Sequence, residues 1–271
     1  LLDKGVNKMN VLEGKTVVIT GASSGLGATL AKKLSSYKCT LILISRSHDK
    51  LRNLTEELRN LYQIEVAYYS VDISDKQAVQ HTFEQIFLQF SKIDILINNA
   101  GFGLFQTLEE ASIESYEEMI KVNYLGAVYC TKQVLPIMLK KQKGHIINIC
   151  SQAGKVGTPK STAYAASKHA ILGFSNSLHY ELKPRNIHVT AVNPGPIRTS
   201  FFEISDPSGS YQKNIASYLL EPEEVADCVI KGIIRPRREI NLPWWMDIGS
   251  RLFHLFPSLM DRLATHFLHK K

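Results

Sequence analysis

A tyrosine and a lysine four positions apart are the chain's most suggestive pair of chemical groups. In Tyr164-Ala165-Ala166-Ser167-Lys168 the phenol and the ammonium share one face of a helix. A free phenol ionises near pH ~10, and an adjacent ammonium favours the phenolate and lowers that value. Such a pair is equipped to give a proton to, or take one from, a reacting carbonyl or alcohol oxygen. By itself the spacing is common and fits a solvated or packing pair equally well. Ser151 gives it context. It stands thirteen residues before Tyr164, at the end of the apolar run His145–Cys150, where a strand's carboxyl edge would present its hydroxyl. A turn serine closing a strand is the plainer alternative.

A second cluster of special residues lies near the start of the chain. Thr20-Gly21-Ala22-Ser23-Ser24-Gly25-Leu26-Gly27 follows the apolar run Lys15–Thr20 and opens a helical pattern. Glycines there permit a tight turn and a close backbone approach to phosphate, and the helix offers free N–H groups and the positive end of its dipole. A merely tight strand–helix connection is the alternative. The strand–turn–helix context favours a dinucleotide pyrophosphate.

The spacing of that turn is Gly-xxx-Gly-x-Gly, and in this form it resembles the turn of the short-chain dehydrogenase/reductase family. The resemblance covers about Leu12 to Arg238. Asn98-Asn99-Ala100-Gly101 is similar to the family's NNAG segment after strand four. Asn123, Ser151, Tyr164 and Lys168 match its catalytic tetrad in order and spacing, and Pro194-Gly195 matches its turn beside nicotinamide. The relatives it most resembles are single-domain NADP(H)-dependent members, bacterial kin of steroid-type reductases. The family implies hydride transfer between nicotinamide and a carbonyl or alcohol carbon. Tyr164 is then general acid or base, and Lys168 tunes it and holds the nicotinamide ribose. Ser151 orients substrate, and Asn123 supports a proton relay through a water. By the same resemblance the cofactor touches Gly21, Ser23, Ser24, Gly25, Leu26, Gly27, Asp72, Ile73, Asn99, Ala100, Gly101, Ile197 and Thr199. A non-enzymatic NADP-binding regulator on the same fold is the rival reading, disfavoured because all four tetrad positions are kept.

The end of the second strand bears on which nicotinamide is bound. NAD-selective sites of this architecture place an acidic residue there, against the adenosine ribose. This chain has Ser45-Arg46, with no carboxylate to repel a 2′-phosphate and a guanidinium suited to bind one. NADP(H) is the expected cofactor. A surface arginine at a helix entry is the alternative. Phe102, Phe105, Gln152, Phe201, Phe202 and Tyr211 fall where substrate should lie, and Ser151 would meet its oxygen. Their bulk favours an apolar carbonyl compound, although the same rings also suit packing.

These groups need a scaffold, and the alternation of elements supplies one. Short β-branched runs at Lys15–Thr20, Thr40–Ser45, Glu65–Ser70, Ile93–Ile97, His145–Cys150, Ile187–Val192 and Glu239–Leu242 read as strands. Helical patterns separate them at Gly25–Ser36, His48–Leu61, Asp75–Phe90, Ser115–Lys140, Thr162–Leu182 and from Pro222. This is the pattern of an α/β chain with a Rossmann-type doubly wound parallel sheet of about seven strands, helices on both faces. One domain, residues 11–242, is expected, followed by an amphipathic extension, 243–271. In that extension Trp244, Trp245, Ile248, Leu252, Phe256, Leu259, Leu263 and Phe267 recur at helical spacing, broken at Pro257, with Arg251, Arg262, Lys270 and Lys271 alongside. Packing on the domain, on a partner copy or on a membrane surface, or service as a lid, are all compatible with it.

Bulk properties exclude several classes. The 271 residues carry 44% hydrophobic and 21% charged residues, ordinary for a globular domain. No apolar run reaches the ~20 residues needed to cross a bilayer. Residues 1–10 are charged, do not resemble a signal peptide, and are set aside, with Met9 a candidate start. Cys39, Cys130, Cys150 and Cys228 form no CxxC pair, and the nine histidines form no ligand-spaced cluster, so neither disulfides nor a metal is expected. The formal charge of +7 is scattered without a nucleic-acid motif, apart from Lys140–Lys143 and Arg235–Arg238. The expectation is a cytoplasmic homodimer or homotetramer, with peripheral contact at the inner membrane surface open through the extension.

Overall fold

The computed structural model describes residues 11–206 and 209–268; the side chains of Tyr211 and of Leu263 onward, and all of Met9, Lys270 and Lys271, lie outside the description. Seven strands form one sheet: β1 Thr16–Thr20, β2 Thr40–Ser45, β3 Val66–Ser70, β4 Ile95–Asn98, β5 Gly144–Ile149, β6 Ile187–Pro194 and β7 Glu239–Leu242. Their order is β3-β2-β1-β4-β5-β6-β7, and every neighbouring pair is parallel. The central strands are buried along their whole length, which is why they read as continuous apolar runs rather than alternating ones.

Helices cover both faces. One face carries α1 (Gly25–Ser35), α2 (His48–Tyr62) and α9 (Pro222–Ile234), whose buried leucines, isoleucines and valines pack on Val17, Ile19, Leu41 and Leu43. The other carries α3 (Lys76–Gln89), α4 (Ile113–Ile120), α5 (Ala127–Lys141) and α6 (Thr162–Leu182). There Phe83, Ile86, Val134 and Leu178 meet Val18, Ile42, Leu96 and Ile146 from the opposite side of the same strands. Local chemistry sets the ends. Asp75 accepts from the N–H groups of Gln77 and Ala78 at the start of α3, and Pro222 occupies the first turn of α9.

Chain order reverses between β1 and β4. Strands 2 and 3 lie to one side of β1, and strands 4 to 7 to the other. A crevice therefore opens above the carboxyl ends of β1 and β4, the position at which ligands bind in sheets of this kind. Both the glycine turn and the Asn98–Gly101 segment begin there.

One expectation needs correction. The single helix read over 115–140 is α4 and α5 joined by a π-helical stretch, Lys121–Gly126. Gly126 accommodates that bulge: a Cβ there would sit 2.7 Å from Cδ1 of Ile73. The extension does break at Pro257, into α10 (Trp244–Leu255) and α11 (Pro257–Leu268), but α10 does not bury its apolar stripe on the domain. The side it turns inward is mixed, with half-buried Met246 and Phe253 beside two polar groups. Ser250 is 5% exposed, and Asp247 meets Lys155 at 2.8 Å.

Candidate active site

The glycine turn is locked by the strand beside it. Thr20, the last residue of β1, accepts at its hydroxyl from the backbone N–H groups of Asn99 and Ala100, both at 3.0 Å. The Asn99 side chain donates back to the carbonyls of Thr20 and Gly21 at 2.9 and 3.2 Å. Asn98 turns the other way and ties β4 to Asn148 and Thr131. Gly21 (φ +64°) and Gly25 (φ +51°) adopt the left-handed conformation that favours glycine. At Gly27 a Cβ would lie 2.2 Å from the Gly21 carbonyl oxygen, so only glycine lets α1 pass that close.

This turn fits a dinucleotide phosphate. The Ser24 hydroxyl caps none of the first N–H groups of α1, and no acidic side chain lies in that turn. Those donors and the dipole they carry are available to anionic oxygens. Thr199 reaches the same place from the far side, its side chain 3.3 Å from where a Gly25 Cβ would stand. Ile197 bridges to Leu220, and the Gly195 N–H donates to the Leu242 carbonyl, which fixes the Pro194-Gly195 turn beneath it.

At the end of β2, Ser45 is buried, and its hydroxyl accepts from the Ser47 N–H. Arg46 is two-thirds exposed, with Nη1 3.7 Å from an Asp72 carboxylate oxygen. The other Asp72 oxygen accepts from the N–H and hydroxyl of Ser74. The Ile73 side chain is buried in the core against Gly126.

Lys168 is the most unusual group of the site. It is 5% exposed, and its Nζ donates to the Ile149 carbonyl at 2.9 Å, two residues before Ser151. The same Nζ lies 5.7 Å from the centre of the Tyr164 ring. Burial penalises the ammonium and brings its pKa down to about 8. The Ser151 hydroxyl accepts from the Ala153 N–H at 3.0 Å, capping the short turn Gln152–Gly154. That turn is pressed onto α6, where a Gly154 Cβ would meet the Lys168 carbonyl at 2.6 Å.

Asn123 sits inside the π-helical stretch with its amide fully engaged. Its Oδ1 accepts from the Phe102 N–H, and its Nδ2 donates to the Phe102 carbonyl and to Ser167. It staples the Gly101–Gly103 loop to α6, and a Gly101 Cβ would stand 3.0 Å from its Oδ1 and 3.5 Å from Lys168 Nζ.

Aromatic rings roof the tyrosine. Phe201 opens the short helix α7 (Phe201–Ser205), and its ring centre lies 5.7 Å from that of Tyr164. Phe105 meets Tyr164 edge-on at 6.0 Å, and its N–H donates to the Ser205 carbonyl, tying the loop after Gly101 to α7. Phe102 makes its contact through the backbone, and Gln152 donates its amide to the Asn193 carbonyl beneath the sheet edge. Of the expected substrate residues, Phe105 and Phe201 lie against the Tyr164 ring. Thr20, Ser167 and Lys155 had no expected role, although Thr20 directly precedes the first glycine. Lys155 bridges Glu239 and Asp247, both at 2.8 Å, and joins the Ser151 turn to β7 and α10.

The profile of the short chain dehydrogenases matches residues 15–207, which is most of the sheet and the whole site. The chain belongs to the short-chain dehydrogenase/reductase family. It is 36% identical over 239 residues to a dehydrogenase/reductase SDR family member 7B of Xenopus laevis, covering 84% of this chain and 74% of that one. It is 35% identical to an oxidoreductase of Staphylococcus saprophyticus, covering 83% and 93%. A short-chain dehydrogenase/reductase of Burkholderia phymatum in complex with NAD superposes with a TM-score of 0.84 at 26% identity, covering 92% and 95%. One from Sphingobium yanoikuyae in complex with NADPH gives 0.78 at 27%, with the same coverage. As a member of this family the protein is an oxidoreductase that uses a nicotinamide cofactor on small alcohol or carbonyl compounds.

Proposed function

We propose that the protein is an NADP(H)-dependent reductase or dehydrogenase of an apolar carbonyl or alcohol compound, with Tyr164 as its general acid and base. The observation that carries this reading is the Lys168 ammonium, buried 5.7 Å from the Tyr164 ring and anchored two residues from Ser151. Bound nicotinamide supplies or accepts the hydride. The protein supplies everything else. In reduction, the Tyr164 hydroxyl donates its proton to the oxygen on which charge develops, and the Lys168 charge stabilises the phenolate left behind. The Ser151 hydroxyl, held by the Ala153 N–H, is positioned to orient that oxygen. Oxidation of an alcohol runs the same proton in reverse.

Preference for the phosphorylated cofactor rests on the end of β2. Arg46 is a cation largely exposed to solvent, and its neighbour Ser45 offers no negative charge. Asp72 lies near Arg46, but at 3.7 Å and largely exposed it holds that guanidinium weakly. The aromatic roof of Phe105 and Phe201 supports a flat or aliphatic substrate over a polar one.

Titration calorimetry with each cofactor, followed by a panel of aliphatic, aromatic, steroid and sugar carbonyls scored by NADPH consumption, tests both halves. NADPH should bind at least ~10-fold more tightly than NADH, a difference of ~1.4 kcal/mol. Apolar ketones or aldehydes should be the compounds turned over. Equal affinities for the two cofactors would remove the cofactor assignment, and NADPH binding without turnover of any carbonyl would favour a regulatory protein.

A further inference from the structure

Four residues after Ser151, Lys155 carries an ammonium that is mostly withdrawn from water. Its side chain is 13% exposed, and Nζ lies 2.8 Å from a Glu239 carboxylate oxygen on β7 and 2.8 Å from an Asp247 oxygen on α10. The Asp247 side chain is as buried as that of Lys155. Taking an ammonium and two carboxylates out of water offsets much of their mutual attraction. Buried ion groups are therefore weak sources of stability, and their best-attested use is to fix one geometry.

The network around this cation reaches two sides of the site. Gln152, next to Ser151, donates its amide to the Asn193 carbonyl at 2.9 Å. The fully buried Asn193 side chain donates to Asn241 Oδ1 at 2.8 Å and, at 3.3 Å, to the same Glu239 oxygen that Lys155 holds. Asn193 directly precedes the Pro194-Gly195 turn, whose Gly195 N–H donates to the Leu242 carbonyl of β7. The start of α10 closes the same corner. Met246, one residue before Asp247, has Sδ 2.9 Å from where a Gly195 Cβ would stand. The Ser151–Ala153 bond is internal to the serine turn, and Gly154 rests on α6, so Lys155 is that turn's charged link to α10.

We propose that Lys155 is a positioning residue for hydride transfer. Resting on the function proposed above, its ammonium sets the distance between Ser151, which orients the substrate oxygen, and the Pro194-Gly195 turn, which lies beside nicotinamide. Reaction needs those two sides in register, since a misplacement of ~1 Å costs on the order of 10²-fold in rate. Without the cation, Glu239 and Asp247 aim two like charges at one point. Their repulsion drives α10, and Met246 with it, away from Gly195. The effect of Lys155 thus runs through Ser151 and Gly195 and needs no contact with the reacting atoms.

Single-turnover hydride transfer from bound NADPH to a carbonyl compound found in the panel tests this role. Lys155→Met keeps the aliphatic stem and removes the charge. Its transfer rate should fall about 100-fold, while NADPH affinity by calorimetry stays within about twofold, because other residues hold the phosphates and ribose. Lys155→Arg keeps a cation between the carboxylates and should recover most of the rate. Asp247→Asn cuts only the link to α10 and should cost about tenfold, which keeps the role testable if Lys155→Met folds poorly. Arg251→Gln removes a largely exposed cation from the same carboxylate and should leave the rate within about twofold. Hydrogen exchange of the same proteins needs no substrate. In Lys155→Met it should rise together in segments 151–157 and 244–250 and stay unchanged in β1 and β4. Hydride transfer at the original rate in Lys155→Met would overturn the proposal, as would exchange that rises in one of the two segments alone. A loss of rate matched by an equal loss of NADPH affinity would also overturn it, leaving Lys155 a structural tie. If the unmutated protein binds NADPH and reduces no carbonyl compound, the proposed function fails, and exchange alone then decides whether Lys155 links the two segments.

Discussion

At the scale of single residues, the proposal concentrates chemistry in two side chains and selectivity in a third. Tyr164→Phe removes only the proton that is transferred. It should lower kcat by on the order of 10²–10⁴-fold while leaving NADPH affinity within about twofold, because general acid catalysis contributes that much. Retention of most of the turnover would end the assignment. Arg46→Ala should behave oppositely. Comparing both cofactors by calorimetry, it should weaken NADPH about tenfold and leave NADH unchanged, since only the phosphorylated form carries the group it meets. These residues drew notice in the sequence by type and spacing: Tyr164 and Lys168 by i, i+4, and Arg46 by its place after a strand. Gln152 and Phe102 carry tertiary bonds beyond their expected place at the substrate. Both stand at the right place in the chain, but hydrogen bonding to Asn193 and Asn123 fixes them by contacts that no local pattern encodes.

At the scale of elements, the turn between β1 and α1 shows why local sequence predicted so much. Fully buried strands of one residue class, a glycine turn and a helix following it leave few alternatives, and the observed bounds fall within two residues of those expected. What escaped was the π-helical stretch. A bulge of this kind inserts one residue into an otherwise continuous pattern, and at its end Gly126 makes a close approach to Ile73 from a distant part of the chain, a contact no local pattern encodes. Gly27→Ala isolates the geometry of the phosphate turn. Alanine would gain ~1 kcal/mol of helix propensity over glycine. Its Cβ, however, would stand 2.2 Å from the Gly21 carbonyl oxygen and 2.6 Å from the Asn99 amide, so backbone must move. The clash should win, because overpacking against backbone costs ~1–3 kcal/mol and the displaced turn is the phosphate site. Calorimetry should show NADPH binding weakened by more than tenfold alongside a lower melting temperature. A variant that melts higher and binds NADPH normally would show that the tight approach of α1 is dispensable.

At the scale of the whole molecule, the sheet separates function from stability by its two edges. The carboxyl edge carries the site; the amino edge carries a buried histidine, and neither the orientation of α10 nor this histidine was legible in periodicity. A stripe can be read from sequence, but the side that meets the domain is held by distant residues, among them Lys155 on Asp247 and Gly195 against Met246. His145 on β5 is 5% exposed, and its Nε2 lies 2.8 Å from Thr190 Oγ1, whose own hydroxyl donates to the Arg237 carbonyl. The hydroxyl proton is thus committed, so the imidazole Nε2 is the donor. Burial first, and the neighbouring His188 second, bring its pKa down to about 3 from an ordinary 6.5. Between those values the unfolded chain holds a proton that the folded one refuses, so stability falls as pH falls. The contribution is complete above about pH 6.5 and is lost at ~1.4 kcal/mol per pH unit on the way toward pH 3. Urea unfolding at pH 7 and at pH 4.5 should therefore differ by roughly 2–3 kcal/mol from this group alone. His145→Gln keeps a donor to Thr190 without a titrating ring, and it should flatten the dependence across that window. An unfolding free energy that drops as steeply in the His145→Gln protein as in the original would place the acid sensitivity elsewhere.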